Sequence, residues 1–307
     1  MQRYILWRLM HGVGVLAAVL LMVFLVFYVL ADPADHLLPP DVTEEQRQAF
    51  RDARGFSDPM HEQFWRFALG AIRLDFGESY FIRTDAITPV LDALPRTVIL
   101  GSVAFAIAIS IGGLIGGISG AFHGGRVDRI LTLYMTIVAS LPGFWIGLLL
   151  MLLFAVKLGL LETGGYGIDR RLIMPAITLA AHNTGTIGLV TRAAVMNIMS
   201  EQYVTVARAK GLSEVNVLWR HVARNAAIPF VAIGGLEFTS MVVGGAIIVE
   251  TIFAWPGIGR LYVTGMTRFD LPLVSAIVFI GTSFIVLLNI VLDILYAYLD
   301  PRVRYVD

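Results

Sequence analysis

Long apolar runs separated by polar segments dominate the chain. A helix that spans a membrane needs about 20 mainly apolar residues, and six stretches meet this need: Leu9–Leu30, Thr97–Ala121, Ile130–Val156, Leu172–Ile198, Ile228–Glu250 and Leu273–Leu299. The pattern therefore predicts an all-α membrane protein with six transmembrane helices. The fourth stretch is the most polar, because it contains Pro175, His182, Asn183 and Arg192.

The polar segments predict how the chain is organised. They divide it into an N-terminal tail with the first span (1–31), a long polar loop (32–95), a membrane core with a basic polar loop inside it (96–299, loop 199–227) and a tail (300–307). In the middle of the long loop, Phe64, Phe67, Ala68 and Ala71 have helical spacing. This spacing predicts a short helix within the loop and not a separate domain.

Composition supports a membrane protein and excludes several other classes. Of the 307 residues, 57% are hydrophobic and 15% are charged, against about a quarter charged in soluble domains. The net charge is zero, which does not favour nucleic acid as a partner, and no cysteine is present for disulfides or thiolate metal sites. The apolar run Val13–Leu30 exceeds the roughly 7–15 residues of a signal-peptide core, so we interpret it as an uncleaved first span.

Positive charges in the short flanks predict the orientation, because cytoplasmic loops are enriched in lysine and arginine. With six spans, one side carries eleven basic residues: Arg3, Arg8, Arg126, Arg129, Arg192, Arg208, Lys210, Arg220, Arg224, Arg302 and Arg304. The other side carries five: Lys157, Arg170, Arg171, Arg260 and Arg268. This imbalance predicts that both termini are cytoplasmic and that residues 32–95 are extracytoplasmic.

The polar segment before the fifth span has the signals of two short helices joined by a tight turn. Gly211 suits the position after a helix end, where a positive φ is needed. Arg208 and Lys210 lie in the preceding turn, where cations favour the helix dipole. Ser213 suits the N-cap of the second helix, and Glu214 its first turn. The segment is therefore predicted to project from the membrane as one helix–turn–helix block.

This segment resembles a known motif. Residues 203–212, Tyr-Val-Thr-Val-Ala-Arg-Ala-Lys-Gly-Leu, are similar to the "EAA" loop of ABC importer permeases, and more narrowly to the dipeptide, oligopeptide and nickel permeases. Further similar segments follow in order along the chain: Asp75–Ser79, Leu94–Thr97, Arg224–Pro229, Val249–Arg260 and Asp300–Arg302. Two features depart from the pattern, since Thr205 replaces the motif's glutamate and the first span ends in Leu30-Ala-Asp-Pro33.

The resemblance implies a type I ABC importer permease in the bacterial inner membrane, most simply for di- or oligopeptides, working by alternating access. Nickel chelates, glutathione or another small solute are alternative substrates. It implies three kinds of partner besides membrane lipid: a homologous second permease, two ATP-binding subunits that hold ATP and Mg²⁺, and an extracytoplasmic substrate-binding protein. Contact with the ATPase is expected from Thr205, Ala207, Arg208, Ala209, Lys210, Gly211, Leu212, Ser213, Glu214, Val215 and Leu218. Trp219 adds apolar surface there.

No catalytic chemistry is predicted for the chain itself. A phosphate-binding loop needs Gly-Lys followed by Ser or Thr, and the two lysines, Lys157 and Lys210, both lack that context. The chain is therefore expected to be a transport subunit that holds no cofactor or metal.

A remote alternative is an intramembrane serine protease, in which Ser119 of a Gly-x-Ser-Gly pattern would act with His182. The simpler interpretation of this region is a row of small residues that lets helices pack closely. The row comprises Gly112, Gly113, Gly116, Gly117 and Gly120.

Ionisable residues inside spans usually mark function. Glu237, Asn183 and His182 are the candidates for the translocation pathway, although Glu237 could instead hydrogen-bond Asn183 or Thr239 between helices. An ion-coupled carrier would also use such residues, but the repeated broken helices of many carriers are not evident. A candidate outer gate loop contains Glu250, Trp255, Pro256 and Gly257.

The predicted orientation can be tested with single cysteines, because the chain has none of its own. An impermeant maleimide should label a Ser57→Cys variant in intact spheroplasts. A Ser213→Cys variant should be labelled only after the membrane is permeabilised. Labelling of Ser213→Cys in intact spheroplasts would overturn the orientation.

Overall fold

The computed structural model describes residues 2–26, 38, 42–53 and 55–299. In these residues the α-helices are α1 Gln2–Phe24, α2 Glu44–Ala53, α3 Met60–Ile72, α4 Ile87–Ala121, α5 Arg126–Ser140, α6 Gly143–Leu150, α7 Arg170–Met199, α8 Gln202–Ala209, α9 Glu214–Val217, α10 Arg224–Ser240, α11 Ala246–Ile252, α12 Ile258–Thr267 and α13 Leu271–Leu299. The part of the chain described contains no β-strand beyond an isolated bridge between Glu78 and Asp85. The all-α prediction is confirmed.

π-Helical segments extend several of these helices, among them α1 at residues 25 and 26. Met151–Lys157 follows α6 directly, whereas Leu218–Ala223 and Met241–Gly245 join α9, α10 and α11 into one helical run. A π-helical turn inserts one extra residue into the hydrogen-bonding ladder. The side chains after each such segment are therefore rotated relative to a regular helix.

The predicted number of six spans is not confirmed. By length and hydropathy, three segments of the described helices can cross a membrane: Leu6–Phe24, Ile87–Ala121 and Leu271–Ile294. A fourth candidate is the pair α5 and α6 with its π-helical extension, which is bent by 99°. The predicted fourth and fifth spans correspond to α7 and to the run α10–α11, which these criteria do not select. Residues 27–30 of the predicted first span and the tail 300–307 lie outside the described residues.

The predicted third span, Ile130–Val156, is wrong as a single straight helix. Its helix stops at Ser140 because Leu141 adopts extended backbone angles (φ −78°, ψ 136°). Pro142 follows, and a proline favours an extended conformation in the residue before it. A new helix then begins at Gly143 in a different direction.

The backbone divides into two compact units. The first unit contains Met1–Arg96 and Gly257–Val291, and the second contains Thr97–Pro256 and Leu292–Asp307. The domain boundaries drawn from the sequence stay a prediction.

A buried core joins the beginning of α4 to α13 in the first unit. Val90 of α4 and Leu273 of α13 are both fully buried there. Asp270, also fully buried, accepts hydrogen bonds from Ser79 Oγ (2.5 Å), Phe81 N (3.0 Å) and Leu273 N (3.3 Å). One carboxylate therefore caps α13 and fixes the segment that leads from the long polar loop into α4.

The predicted helix within the long loop is confirmed as α3. Its residues Ala68 and Ala71 are buried, and the rings of Phe64 and Phe67 lie 5.4 and 6.2 Å from the ring of Phe24 in α1. The polar helix α2 was not predicted. It begins with a capping box, in which Thr43 N donates to the Gln46 side chain and Gln46 N donates to the Thr43 hydroxyl.

In the second unit, α4 and α7 pack backbone to backbone through the predicted glycine row. A Cβ atom at Gly112, Gly116 or Gly120 would lie 2.8, 2.3 or 2.8 Å from a carbonyl oxygen of α7. On the far side of α7, a Cβ at Gly185 would lie 2.5 Å from a carbonyl oxygen of α5. Helix α7 is thus held between α4 and α5 at distances that only glycine permits. Gly113 faces Phe230 of α10 instead.

Two neighbouring glycines test this close packing. Gly116→Ala should lower stability by about 1–3 kcal/mol, because its Cβ would collide with the carbonyl of Gly188. Gly117→Ala is the matched control, since nothing lies within 4 Å of that Cβ. It should leave stability unchanged or raise it by up to about 1 kcal/mol through better helix propensity. The measurement is the thermal unfolding midpoint in detergent, and equal effects of the two changes would contradict close packing of α4 on α7.

Candidate functional site

The polar segment after α7 folds as predicted into two short helices around a glycine turn. We call α8, the turn, α9 and its π-helical extension the helix–turn–helix block (residues 202–223). Gly211 has φ +81°, its N–H donates to the Arg208 carbonyl (2.9 Å), and the Leu212 N–H donates to the Ala207 carbonyl (3.3 Å). This pair of bonds is a Schellman motif, which satisfies carbonyl groups at the end of α8. Ser213 occupies the N-cap position of α9 as predicted, but its side chain makes no capping hydrogen bond.

The underside of the block has its own hydrophobic core. Val204, Ala207, Val217 and Val222 are buried together with Val195 near the end of α7. Because one cluster includes residues of α7, α8 and α9, the block and the end of α7 form one packed body. Two surface contacts cross it as well: Arg208 pairs with Glu214 (2.9 Å) and the Asn225 side chain donates to the Tyr203 hydroxyl (2.8 Å).

The outer face of the block exposes apolar side chains. Val206, Val215 and Trp219 are 52%, 64% and 75% exposed. Leu212 and Leu218, which were also expected to face a partner, instead pack against the block's own core. Of the remaining predicted contact residues, Ala207 is buried and the exposed ones are Thr205, Arg208, Ala209, Lys210, Gly211, Ser213 and Glu214. Of the large apolar side chains that were expected to face a partner, only Val215 and Trp219 are therefore exposed, and Trp219 is the more exposed of the two.

A buried ion pair, not predicted from the sequence, fixes α7 to α5. Arg192 Nε and Nη2 donate to the two carboxylate oxygens of Asp128 at 2.6 and 2.9 Å. Asp128 is 3% exposed and accepts three further hydrogen bonds, from Ser119 Oγ (2.6 Å), Gly124 N (2.8 Å) and Thr132 Oγ1 (3.1 Å). The opposite charge of Arg192 and these hydrogen bonds together offset the free-energy cost of burying the carboxylate. We call these residues the inner network.

The inner network connects four elements at the end of α7 nearest the helix–turn–helix block. Its members come from the end of α4 (Ser119), the following turn (Gly124), the first turns of α5 (Asp128, Thr132) and α7 (Arg192). Arg192 lies seven residues, or about 10 Å of helix, before the end of α7 at Met199. A sequence signal existed, because an arginine within a predicted span requires an acidic partner. Asp128 was overlooked because it lies between the basic residues of a short flank.

The surroundings of Ser119 do not support a role as a catalytic nucleophile. Its side chain is fully buried and donates to Asp128, with Thr132 Oγ1 at 3.2 Å. A serine is activated by a base that accepts its proton, but none of the partners described for Ser119 is a histidine. His182, the other half of the hypothetical dyad, is exposed.

The three predicted pathway residues have different surroundings. Asn183 is buried, and its side chain donates to the Leu179 carbonyl of its own helix (2.9 Å). Glu237 is half-buried and close enough to His182 for an electrostatic interaction. The Thr239 hydroxyl donates to the Gly235 carbonyl of its own helix (3.1 Å). The hydrogen bonds described for Asn183 and Thr239 are therefore made within their own helices and not to Glu237. The role of these residues in a pathway stays a prediction.

The predicted outer gate loop is a buried corner. Glu250 is fully buried and accepts a hydrogen bond from Thr97 Oγ1 (2.6 Å), while the Trp255 N–H donates to the Glu250 carbonyl (2.9 Å). Trp255 is also fully buried, and its ring meets that of Tyr166 edge to face at 5.0 Å. Pro256 is the last residue of the segment Thr97–Pro256 of the second unit, and Gly257, the N-cap of α12, is the first residue of the segment Gly257–Val291 of the first unit. Among the described residues, no cluster of three or more acidic or histidine side chains could hold a metal.

Comparisons with known proteins agree on one family. Residues 97–305 match the family described as binding-protein-dependent transport system inner membrane component. The chain is 35% identical over 307 residues to the glutathione transport system permease protein GsiC of Salmonella paratyphi A, which covers 99% of this chain and 100% of that relative. It is 34% identical over 309 residues, with the same coverage, to the protein of that name from Escherichia coli (strain K12).

A solved structure supports the fold alone. The crystal structure of an amino acid ABC transporter with histidines superposes with a TM-score of 0.53 at 15% identity. The match covers 68% of this chain and 94% of that one.

The inner network can be tested by removing one charge at a time. Arg192→Gln should destabilise the protein by about 3 kcal/mol, because it leaves the buried Asp128 carboxylate without its partner, and Asp128→Asn should destabilise it less, because Arg192 is only partly buried. The double variant should lose less than the sum of the two single losses. The measurement is a double-mutant cycle on unfolding in detergent.

The exposed pair Asp169 and Arg171 provides the matched control. Arg171 donates to Asp169 at 2.9 Å and holds the pKa of that carboxyl below its usual value, but both side chains are in contact with water. Asp169→Asn should therefore have a much smaller effect than Asp128→Asn. Equal losses at the two sites would show that the inner pair is not structurally important.

Proposed function

Because the chain belongs to the family of binding-protein-dependent transport system inner-membrane components, we propose that it is the permease subunit of an ATP-driven importer for glutathione or related short peptides. The observation that carries the substrate class is the full-length similarity to permeases named for glutathione transport. Those names favour the glutathione alternative over the general di- and oligopeptide expectation. Glutathione is itself a small peptide, so both belong to one chemical class.

The proposed coupling element is the helix–turn–helix block. The exposed side chains of Val206, Val215 and Trp219 provide an apolar patch that an ATPase subunit could cover. The Schellman turn at Gly211 and the core shared with α7 support this role. Because the block and the end of α7 are packed together, a displacement of the block also displaces α7. ATP and Mg²⁺ belong to the partner subunits in this proposal.

The proposed transmission path runs through the inner network. Closure of the ATPase dimer would displace the block together with the end of α7. Arg192 would carry this displacement to Asp128 and so to α5 and the end of α4. Alternating access would follow when these helices tilt together and open the pathway on the opposite side of the membrane.

The proposed assembly contains a homologous second permease, two ATPase subunits and an extracytoplasmic binding protein that delivers the substrate. Both termini would lie in the cytoplasm, on the same side as the block. The substrate is tested most directly on the binding protein encoded beside this permease, by calorimetry with glutathione, dipeptides, oligopeptides and a nickel chelate. Tight binding of glutathione supports the proposal, whereas binding of the nickel chelate alone overturns the substrate class.

The turn at Gly211 gives the sharpest test of coupling. Gly211→Val should yield a membrane-inserted permease with little transport and weak ATPase association, because a β-branched residue at φ +81° is strained by roughly 1 kcal/mol or more. Gly211→Ala should be intermediate. The measurements are co-purification of the ATPase subunits and transport in proteoliposomes.

Gly159→Val is the matched control for that change. Gly159 also has a positive φ (+62°) and open space around its Cβ, but it lies in the loop between α6 and α7. The Gly159→Val permease should have similar backbone strain and should still associate with the ATPase subunits. Wild-type transport by Gly211→Val would remove the block from the coupling mechanism.

A further inference from the structure

Helix α3 in the long polar loop has an apolar face that the described protein leaves uncovered. Trp65, Leu69 and Ile72 follow one another at helical spacing and are 62%, 48% and 72% exposed. Three large apolar side chains in a row on one short helix are more than the scattered exposure usual at a surface. Some partner is therefore expected to cover this face.

The two other faces of α3 are already occupied. Phe64 and Phe67 pack on Phe24 of α1, and Ala68 and Ala71 are buried. On the polar face, Gln63 donates to the carbonyls of Phe56 and Asp58, and Arg66 pairs with Asp58. These contacts fix the rotation of α3, so the exposed stripe has one defined direction.

The position of Phe24 indicates the depth at which α3 lies. The apolar segment Leu6–Phe24 has 19 residues and rises about 28 Å as a helix. The hydrocarbon core of a bilayer is about 30 Å thick. If this segment spans the core, Phe24 lies near its edge, and α3, which packs on Phe24, lies at the boundary between acyl chains and headgroups.

The neighbouring surface of α1 continues the apolar character. Leu21, Met22 and Leu25 near its end are 46%, 64% and 43% exposed, as expected of side chains in contact with lipid. Tryptophan is enriched at membrane interfaces, and interfacial helices combine an apolar face with basic residues on the polar face. Helix α3 shows both features, with Trp65 in its exposed stripe, Arg66 beside that stripe and Arg73 at the C-cap.

We propose that α3 is an interfacial helix whose stripe of Trp65, Leu69 and Ile72 inserts into the phospholipid surface at the end of the first span. The loop that connects α1 to α4 is then anchored to the bilayer through its own side chains. This inference depends on the membrane span of α1 and not on the transported substrate.

Spin labels on single cysteines distinguish lipid from the other possible occupants. Leu69→Cys and Ile72→Cys, each labelled in the full chain with its partner subunits in nanodiscs, should collide often with oxygen and rarely with a water-soluble nickel complex. Glu45→Cys, an exposed position in the polar helix α2 of the same loop, is the control and should show the opposite preference.

Two results would overturn the proposal. If the labels at 69 and 72 collide with the nickel complex as often as the label at 45 does, the stripe faces water. If those two labels are shielded from both reagents, a protein partner covers the stripe. All three substituted residues are exposed, so the variants should fold, and circular dichroism together with the unfolding midpoint checks this directly.

Discussion

A buried carboxylate must be fully compensated or it destabilises the fold, and Asp128 meets this requirement with five hydrogen bonds from four elements. Arg192 supplies two of them and the opposite charge. The geometry leaves little freedom, because displacing any one element would leave part of the charge unsatisfied. The end of α4, the start of α5 and the last third of α7 are therefore tied together at one point. In the proposed mechanism this point is where motion passes from the helix–turn–helix block to the rest of the second unit.

Close packing complements that electrostatic tie. The row Gly112, Gly116 and Gly120 brings α4 against α7, and Gly185 brings α7 against α5. Within a membrane, association of helices depends on such van der Waals contact, since lipid is as apolar as the helix surfaces. Three helices in backbone contact move more readily as a body than as separate rods. In the proposed mechanism, this rigidity lets the closure of a partner subunit open the pathway.

Features that depend on local sequence could be predicted, whereas those that depend on distant partners could not. The turn at Gly211 and the glycine row of α4 are local, because a positive φ and a small-residue spacing are properties of neighbouring residues. The ion pair joins residues 64 positions apart, and nothing near Asp128 identifies Arg192 as its partner. The break at Leu141 had a local signal in Pro142, but the high hydropathy around it suggested an unbroken span. The sequences of the π-helical segments show no pattern that distinguishes them from an α-helix. Leu212 and Leu218 pack inward because of the tertiary core beneath them, which the local sequence does not reveal.

In the proposed function, this chain converts ATP hydrolysis on partner subunits into uptake of a short peptide. The most direct measurement is accumulation of labelled glutathione in proteoliposomes that contain the permeases and ATPase subunits, with the binding protein outside and ATP inside. We expect accumulation that requires both ATP and the binding protein and that persists when a protonophore removes the proton gradient. Accumulation without ATP, driven by an imposed proton gradient, would contradict the proposed function.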